Sequence, residues 1–291
     1  MTTDIVSIGS PRLSAQINPL GAELWSLRDA EGRDLLWDGD PAWWTGRAPL
    51  LFPIVGRVPD DRFTYDGQTF ELPRHGFARR RVFEVVHQAP ALARFRLSAD
   101  DATRAVYPFD FVLEAEFAVE GAELRTSVTV ANHGPTAMPA TFGFHPAFRW
   151  PLPDAGERGG HAIVFEQDEP GPLRRLDATG LLGTQPLPTP IEGRRLALDD
   201  AQFVDDAMIF DAPTSRSVSY GGQGGPTVTV SWRGMSRLGI WTKSGAPYIC
   251  IEPWHGMSAQ ADSPSDLAER SDLLHLAAGA SAAFSMSVRL D

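Results

Sequence analysis

Hydrophobic and polar residues alternate along many short segments of this chain. The clearest case spans residues 111–130, where two alternating stretches flank a Glu-Gly-Ala-Glu turn at 120–123. A period of two on both sides of a glycine turn is typical of an antiparallel hairpin with one buried face. A second hairpin is predicted over residues 63–72, because the Asp66-Gly67 pair at its centre favours a tight turn.

Other short strands are predicted between clusters of turn residues, at 13–17, 23–27, 34–37, 162–165, 217–220, 227–232 and 284–290. The glycine-rich residues 221–225 are interpreted as a hairpin turn, since no Lys-Ser/Thr pair follows them as in a phosphate-binding loop. The main helix prediction is a short one at 263–274, where Pro264 follows Ser263. We therefore expect an all-β fold, a large antiparallel β-sandwich, formed as one domain over residues 1–291.

The most informative stretch is residues 248–256, Tyr-Ile-Cys-Ile-Glu-Pro-Trp-His-Gly. Its apolar start predicts a buried strand, and Pro253 is expected to prevent that strand from continuing as a central member of a sheet. An acid at the end of a buried strand, here Glu252, is costly unless something uses it. A carboxylate beside the flat face of Trp254 suits a sugar, because the acid contacts hydroxyl groups while the ring stacks on C–H faces.

Composition and charge exclude several classes of function. The formal net charge of −11 argues against nucleic-acid and anionic-membrane partners, which require a basic surface. The single cysteine, Cys250, excludes internal disulfides and cysteine-rich metal sites. No signal peptide is recognised at the start of the sequence, and no apolar run approaches a membrane span, so a cytoplasmic protein is expected. Its oligomeric state is expected to be monomer or homodimer.

Four polar residues stand at the edges of apolar or aromatic segments: Arg57, His75, His145 and Glu252. Such a set suits proton transfer on a neutral, hydroxyl-rich substrate. No nucleophile motif such as Gly-x-Ser-x-Gly is present. Neither a cofactor nor a metal is expected, because the histidines and Glu252 lack the paired spacing of metal ligands.

Four segments together resemble the aldose 1-epimerase (galactose mutarotase-like) family, and in particular its shorter bacterial branch. They are Ala-Pro-Leu-Leu-Phe-Pro-Ile-Val-Gly-Arg at 48–57, Arg-His-Gly-Phe-Ala-Arg at 74–79, Phe-Gly-Phe-His-Pro at 142–146 and Ile-Glu-Pro-Trp at 251–254. Each segment is weak alone, but four in the same order give a specific signal over nearly the whole chain. The resemblance implies a β-sandwich with an open sugar-binding cleft and conversion between α and β anomers.

The resemblance also implies roles for individual residues. Glu252 would be the general base and His145 the general acid, while Arg57 and His75 would contact sugar hydroxyls or the ring oxygen. An aspartate of the cleft is assigned to Asp206, with Asp205 as the alternative. Trp254 and Arg79 complete the expected binding set; His255 matches no family position and is interpreted as a loop residue on the cleft rim.

The expected mechanism requires Glu252 to be ionised and His145 to be protonated near neutral pH, as an adjacent opposite charge would favour. Three alternatives stay open from the sequence. The substrate could be a hexose 6-phosphate held by Arg74, Arg79, Arg80 and Arg81. The protein could also bind carbohydrate without catalysis, although binding alone needs no acid–base pair. A sugar-binding domain of a larger polysaccharide enzyme would require an appended domain.

Overall fold

The computed structural model describes residues 4–291, and their fold is almost entirely β-structure. The first eleven strands are β1 (Val6–Gly9), β2 (Leu13–Asn18), β3 (Glu23–Asp29), β4 (Leu50–Leu51), β5 (Arg62–Tyr65), β6 (Gln68–Glu71), β7 (Glu84–Ala89), β8 (Leu92–Ser98), β9 (Phe111–Glu120), β10 (Glu123–Asn132) and β11 (Met138–Ala140). The others are β12 (Phe142–Phe144), β13 (Ala147–Arg149), β14 (Ala162–Phe165), β15 (Arg195–Ala197), β16 (Met208–Phe210), β17 (Ser217–Gly221), β18 (Thr227–Arg233), β19 (Arg237–Trp241), β20 (Tyr248–His255), β21 (Leu274–Leu276) and β22 (Ser281–Leu290).

Helical structure in the described residues is limited to single turns. One α-helical turn, α1 (Asp101–Arg104), is stabilised by a capping box in which Asp100 and Thr103 bond to each other's backbone N–H groups. The 3₁₀ turns are Pro59–Asp61, Ala78–Arg80, Arg158–Gly160, Asp200–Phe203 and Leu267–Glu269. No helix within residues 4–291 is both long and apolar enough to cross a membrane.

A nine-stranded antiparallel sheet forms the larger layer, in the order β15-β14-β17-β18-β22-β10-β9-β8-β7. Its central hairpin, β9 and β10, pairs Glu120 with Glu123 across the turn and runs to the pair Phe111 and Asn132. The predicted alternation is confirmed there: Phe111, Leu113 and every second residue after them are buried. The inward faces of these strands form one side of the main core.

A six-stranded sheet, with order β16-β19-β20-β12-β4 and β13 also paired to β20, forms the second layer. Alternate residues of β20 point to opposite faces, as in any strand. Ile249 and Ile251 belong to the main core between the two large sheets. Tyr248 and Cys250 belong to a separate aromatic cluster on the opposite face, and Trp254 to another cluster there. Both faces of β20 are therefore covered, which explains its continuous apolar sequence.

Pro253 does not end β20, contrary to the sequence prediction. The strand continues to His255 and stays central, with β19 on one edge and β13 and then β12 on the other. The N–H of Ile251 donates to the carbonyl of Pro146 on that second edge. Residue 253 faces the same edge, between the part paired to β13 and the part paired to β12. The missing N–H of proline therefore falls in a gap of the ladder, where it costs little.

Two other local predictions were wrong. Residues 263–274 contain only the 3₁₀ turn Leu267–Glu269 and not a longer helix. Residues 34–37 form isolated bridges rather than a strand, with Asp34 opposite Arg28 and Leu36 opposite Phe148. The strands predicted at 13–17, 23–27, 63–72, 162–165, 217–220, 227–232 and 284–290 are all present, most of them extended by one to three residues.

Gly76 offers a test of the packing between its own backbone and that of Phe52. Its φ is +67°, and an added Cβ would lie 2.3 Å from the carbonyl oxygen of Phe52. That oxygen accepts hydrogen bonds from the N–H groups of Phe77 and Ala78, so it is not free to move. We expect Gly76→Ala to lower the free energy of unfolding by about 2–4 kcal/mol in urea denaturation, because backbone strain and a steric clash act together.

Gly67→Ala is the matched control for this substitution. Gly67 also has a positive φ, +71°, but no atom lies within 4 Å of the position of its Cβ. Only the left-handed backbone penalty of about 1–2 kcal/mol applies there. Equal destabilisation by the two substitutions would show that contact with Phe52 has no part in stability.

Candidate active site

A cavity of about 170 Å³ opens on the face of the six-stranded sheet that points away from the main core. Its titratable residues are His75, His145, Asp206 and Glu252, and its cations are Arg74 and Arg79. The apolar part of its wall consists of three tryptophans, Trp44, Trp241 and Trp254, and four aliphatic residues, Val55, Leu176, Ala207 and Ile209. Gly56 and Ser258 complete the lining. A small, partly apolar cavity with several convergent polar groups is the common form of a small-molecule site.

Strand pairing brings His145 to Glu252. Glu252 lies on β20, opposite Gly239 of β19. His145 lies in the short link between β12 and β13, and these two strands pair with β20 at Trp254 and at Cys250. The link must therefore run alongside β20, opposite the residues between Cys250 and Trp254. As a result, Nε2 of His145 lies 3.2 Å from Oε2 of Glu252.

Both members of this pair are withdrawn from water. Glu252 is 1% exposed and His145 is 7% exposed. Oε2 of Glu252 and Nδ1 of His145 are buried without any hydrogen bond among the described residues, since the 3.2 Å approach of Nε2 to Oε2 does not have the geometry of a hydrogen bond. Buried polar atoms without partners are rare in folded proteins, so these two are well placed to bond to a ligand.

Burial favours the neutral form of each group. Desolvation, together with the positive charges of Arg79 and Arg74, lowers the pKa of His145 to about 3. Desolvation also raises the pKa of Glu252 well above its usual value, although Arg74 opposes this shift. The ion pair expected from the sequence is therefore not the favoured state of these two residues, because burial penalises both charges.

His75 is held in one tautomer by the backbone. The N–H of Gly56 donates to Nδ1 of His75 at 3.0 Å, so Nδ1 carries no proton and the ring proton of the neutral form is on Nε2. Burial lowers the pKa of His75 well below its usual value, and the charges of Arg74 and Arg79 lower it further. His75 is thus a neutral hydrogen-bond donor, and its ring centroid lies 5.8 Å from that of His145.

Two glycines make room for the indole of Trp254. A Cβ on Gly143 would lie 2.6 Å from the Trp254 ring, and a Cβ on Gly239 would lie 2.4 Å from it. These glycines are on β12 and β19, the two strands that flank β20 at this level. The ring can therefore lie flat across the sheet and present a face to the cavity.

Two further aromatic residues of the wall contact the acid–base pair. The ring of Trp44 lies 4.9 Å from that of His145, centroid to centroid, and Trp241 meets His145 edge-on at 5.8 Å. Trp44 and Trp241 were not assigned this role from the sequence.

Comparisons with known proteins identify the family of this chain. A family model described as aldose 1-epimerase matches residues 4–264. The chain belongs to the aldose 1-epimerase family. The chromosomal protein LacX of Lactococcus lactis subsp. lactis is 30% identical over 275 residues, covering 91% of this chain and 92% of that protein.

Two solved structures share the fold of this family member. A galactose mutarotase related enzyme from Lactobacillus acidophilus has a TM-score of 0.92 and 29% identity, covering 99% of this chain and 97% of the other. A galactose mutarotase-like protein from Lactobacillus casei has a TM-score of 0.90 and 26% identity, covering 99% and 100%. The predicted all-β, galactose mutarotase-like fold is confirmed.

Most of the residues assigned from the family resemblance meet in the cavity, but Arg57 does not. Its guanidinium forms a bidentate ion pair with Asp61, at 2.6 and 2.8 Å, and donates to the carbonyl of Thr179 at 2.8 Å. Asp61 follows Arg57 by only four positions, and its carboxylate oxygens accept hydrogen bonds from Nε and Nη2 of Arg57. Arg57 therefore braces the loop around Thr179, and the guanidinium groups in the cavity wall belong to Arg74 and Arg79.

The structure also distinguishes the two aspartates and places His255. Asp206 lines the cavity, with its Oδ1 accepting from the N–H of Ala207, whereas Asp205 is exposed and outside the lining. His255 is the last residue of β20 rather than a loop residue. Its ring packs against Phe284, away from the cavity.

Cys250 lies unexpectedly close to the acid–base pair. Its Sγ, a ring nitrogen of His145 and a carboxylate oxygen of Glu252 lie within 4.8 Å of one another. Period-two alternation on β20, which puts residues 250 and 252 on one face, was the available signal. Such a donor set is of a kind that borderline divalent cations accept. However, burial and the neighbouring Glu252 raise the pKa of the thiol well above its usual value.

The raised pKa of Glu252 predicts a pH-dependent stability difference. The folded protein binds this proton more tightly than the unfolded chain, so the contribution to stability is complete below about pH 4.5 and is lost as the pH rises towards the folded-state pKa. Glu252→Gln cannot ionise, so the variant does not lose stability in this way as the pH rises. We expect the melting temperature of Glu252→Gln, relative to that of the wild type, to increase between pH 4 and pH 8.

Glu120→Gln, at an exposed position at the end of β9, is the control for loss of a carboxylate. The difference in melting temperature between Glu120→Gln and the wild type should change little between pH 4 and pH 8. A difference between Glu252→Gln and the wild type that is constant with pH would contradict the raised pKa.

Proposed function

We propose that this protein is an aldose 1-epimerase, or mutarotase, which interconverts the α and β anomers of a hexose by opening and closing the sugar ring. The observation that carries the proposal is the 3.2 Å contact between the buried residues His145 and Glu252 on the wall of the cavity. O1 and the ring oxygen are bonded to the same carbon, so an acid and a base must converge on one point. Two buried groups with unpartnered atoms meet this requirement.

The chemistry needs one proton removed and one delivered. As O1 loses its proton, O1 forms the carbonyl, the bond between C1 and the ring oxygen breaks, and the ring oxygen takes a proton. Rotation about C1–C2 then presents the other face of the aldehyde, and the reverse transfers close the ring. Ring opening transfers a proton from the protonated His145 to the ring oxygen and a proton from O1 to the ionised Glu252. The total number of protons on the two residues is therefore unchanged.

Opening of the sugar ring with Glu252 as base requires Glu252 to be ionised and His145 to be protonated. Burial favours the neutral form of both residues, and transfer of one proton from Glu252 to His145, 3.2 Å away, converts the neutral pair into this ion pair. Sugar hydroxyl groups can bond to Nδ1 of His145 and Oε2 of Glu252, which have no partners without them. Hydrogen bonds to the charged forms lower the cost of this transfer.

The remaining lining residues suit the binding of a sugar. His75 offers one N–H donor in a fixed tautomer, and Arg74 offers several, while Asp206 can accept from hydroxyl groups. Trp254 presents the flat apolar face that the C–H side of a pyranose requires. Membership of the aldose 1-epimerase family and the likeness to galactose mutarotase-like proteins support the same conclusion.

Replacement of either partner should remove the acceleration of anomer exchange. General acid–base catalysis typically contributes about 10²–10⁴-fold for each proton transfer. We expect His145→Asn and Glu252→Gln each to lower kcat/KM by at least about 100-fold. Polarimetry of freshly dissolved α-glucose and α-galactose measures the rate, with the uncatalysed rate subtracted.

Controls at exposed residues should retain the wild-type rate: His133→Asn and Glu120→Gln change the same residue types outside the cavity. A normal rate in either His145→Asn or Glu252→Gln would refute the assignment. If the wild type binds sugars in calorimetry but accelerates nothing, it is a carbohydrate-binding protein without catalysis.

A further inference from the structure

The proposed proton transfer places a positive charge on His145 in unfavourable surroundings. Burial disfavours any charge on this ring, and the guanidinium groups of Arg79 and Arg74 disfavour a positive one. His75, whose ring centroid lies 5.8 Å away, is itself held neutral by burial. Ionised Glu252 supplies a compensating negative charge, 3.2 Å from Nε2. Any further group that favours the charged imidazole lowers the cost of the transfer.

The indole of Trp44 is stacked on His145. The two ring centroids are 4.9 Å apart, and the two ring planes are inclined to each other by 31°. The face of an indole carries negative potential and attracts a cation that lies within about 6 Å of the ring centroid. Trp241 approaches His145 at a near-perpendicular angle, with a longer distance of 5.8 Å between centroids. Trp44 is therefore placed to favour the protonated imidazole over the neutral one.

The segment between β3 and β4 holds the ring of Trp44 in this position. Nε1 of Trp37 donates to the carbonyl of Trp44 at 2.8 Å. A Cβ on Gly46 would lie 2.4 Å from the Trp44 ring, so glycine at this position leaves room for the indole. The rings of Trp241 and Tyr248 pack against the indole, with centroids 5.6 and 5.7 Å from its own. The indole is thus fixed in place without a ligand, as is required of a residue that positions or tunes another.

We propose that Trp44 is a positioning residue whose π face stabilises the imidazolium form of His145, and that it thereby promotes transfer of a proton from Glu252 to His145. The inference rests on the proposed mutarotase function and adds a residue that acts through His145. The neutral imidazole gains little from the same face, because the attraction depends on a full positive charge. Loss of the interaction should therefore lower kcat more than it raises KM.

Fluorinated tryptophans at position 44 test this interaction with almost no change of shape. Fluorine withdraws electron density from the indole face, so mono-, di- and trifluorinated tryptophans weaken its attraction for a cation in steps. The chain contains eight tryptophans, so each analogue is incorporated at this one codon. We expect kcat for anomer exchange of glucose or galactose, measured by exchange NMR, to fall about 10-fold over the series, while KM changes less than about 2-fold. A kcat independent of fluorination, or a loss confined to KM as for a ring that only stacks on the sugar, would overturn the proposal.

Ordinary substitutions with a matched control complement the fluorinated series. Trp44→Phe keeps a weaker π face and should lower kcat about 3-fold, whereas Trp44→Leu keeps only apolar bulk and should lower kcat about 10-fold. Trp43→Leu is the control, since Trp43 is the neighbouring residue but does not line the cavity and lies beside Lys243. It should retain the wild-type kcat. Equal losses in Trp44→Phe and Trp44→Leu, or an equal loss in Trp43→Leu, would count against a role for the π face of Trp44.

Protonation of His145 provides a measurement that does not depend on catalysis. The nitrogen-15 chemical shifts of the imidazole ring report the population-weighted fraction of its charged form, over the acid range in which the protein stays folded. At a given pH, we expect this fraction to decrease as fluorination of Trp44 increases. If no sugar shows accelerated exchange, the mutarotase proposal fails, and these spectra still test the role of Trp44. A charged fraction that stays constant or increases with fluorination refutes that role.

Discussion

The candidate site depends on one constraint, the way β20 is paired along its second edge. Two short strands, β12 and β13, share that edge, and the link between them holds His145 beside Glu252. The geometry of the candidate site is thus fixed by backbone pairing on both sides of the link rather than by a flexible loop. A link anchored at both ends has little freedom, and sites built on such rigid elements hold their geometry precisely.

This placement also determines the electrostatics. Alternation on β20 directs Ile249 and Ile251 into the main core and directs Cys250 and Glu252 to the opposite face, where aromatic rings exclude water. In the proposed mutarotase, the wall that would orient a sugar ring also separates His145 and Glu252 from solvent. Binding and proton transfer would then be linked, because the hydroxyl groups of a sugar can supply hydrogen bonds to these buried groups.

Much of the fold could be predicted from the sequence because the relevant signals are local. The alternation at 111–130 and the Asp66-Gly67 turn need no tertiary information, and both hairpins are present. Pro253 was misjudged because the gap in its ladder is created by residues more than a hundred positions earlier. The Ser263-Pro264 start signal was not followed by a helix, which shows how tertiary packing overrides weak local preference.

The site itself was predicted mainly through the family resemblance, which identified the segments but not every contact. His75, His145, Asp206, Trp254, Arg79 and Glu252 line one cavity. The pairing of Arg57 with Asp61 was not foreseen, because no sequence rule tells whether a cation points towards a ligand or towards an acid four residues away. The contribution of Gly143 and Gly239 was equally hidden, since a glycine within a strand does not reveal which neighbour needs the space.

The ion pair of Arg57 and Asp61 has a consequence for how this protein could diversify. Through the carbonyl of Thr179, the pair tethers a surface segment whose neighbour Leu176 forms part of the cavity wall. If this segment were replaced by that of a relative, the hydrogen bond from Arg57 would be preserved only where the new segment places a carbonyl oxygen at the position of the Thr179 carbonyl. An exchange of substrate specificity between members of the family would then require this segment to be transferred together with the arginine and aspartate that hold it, and not as an isolated loop.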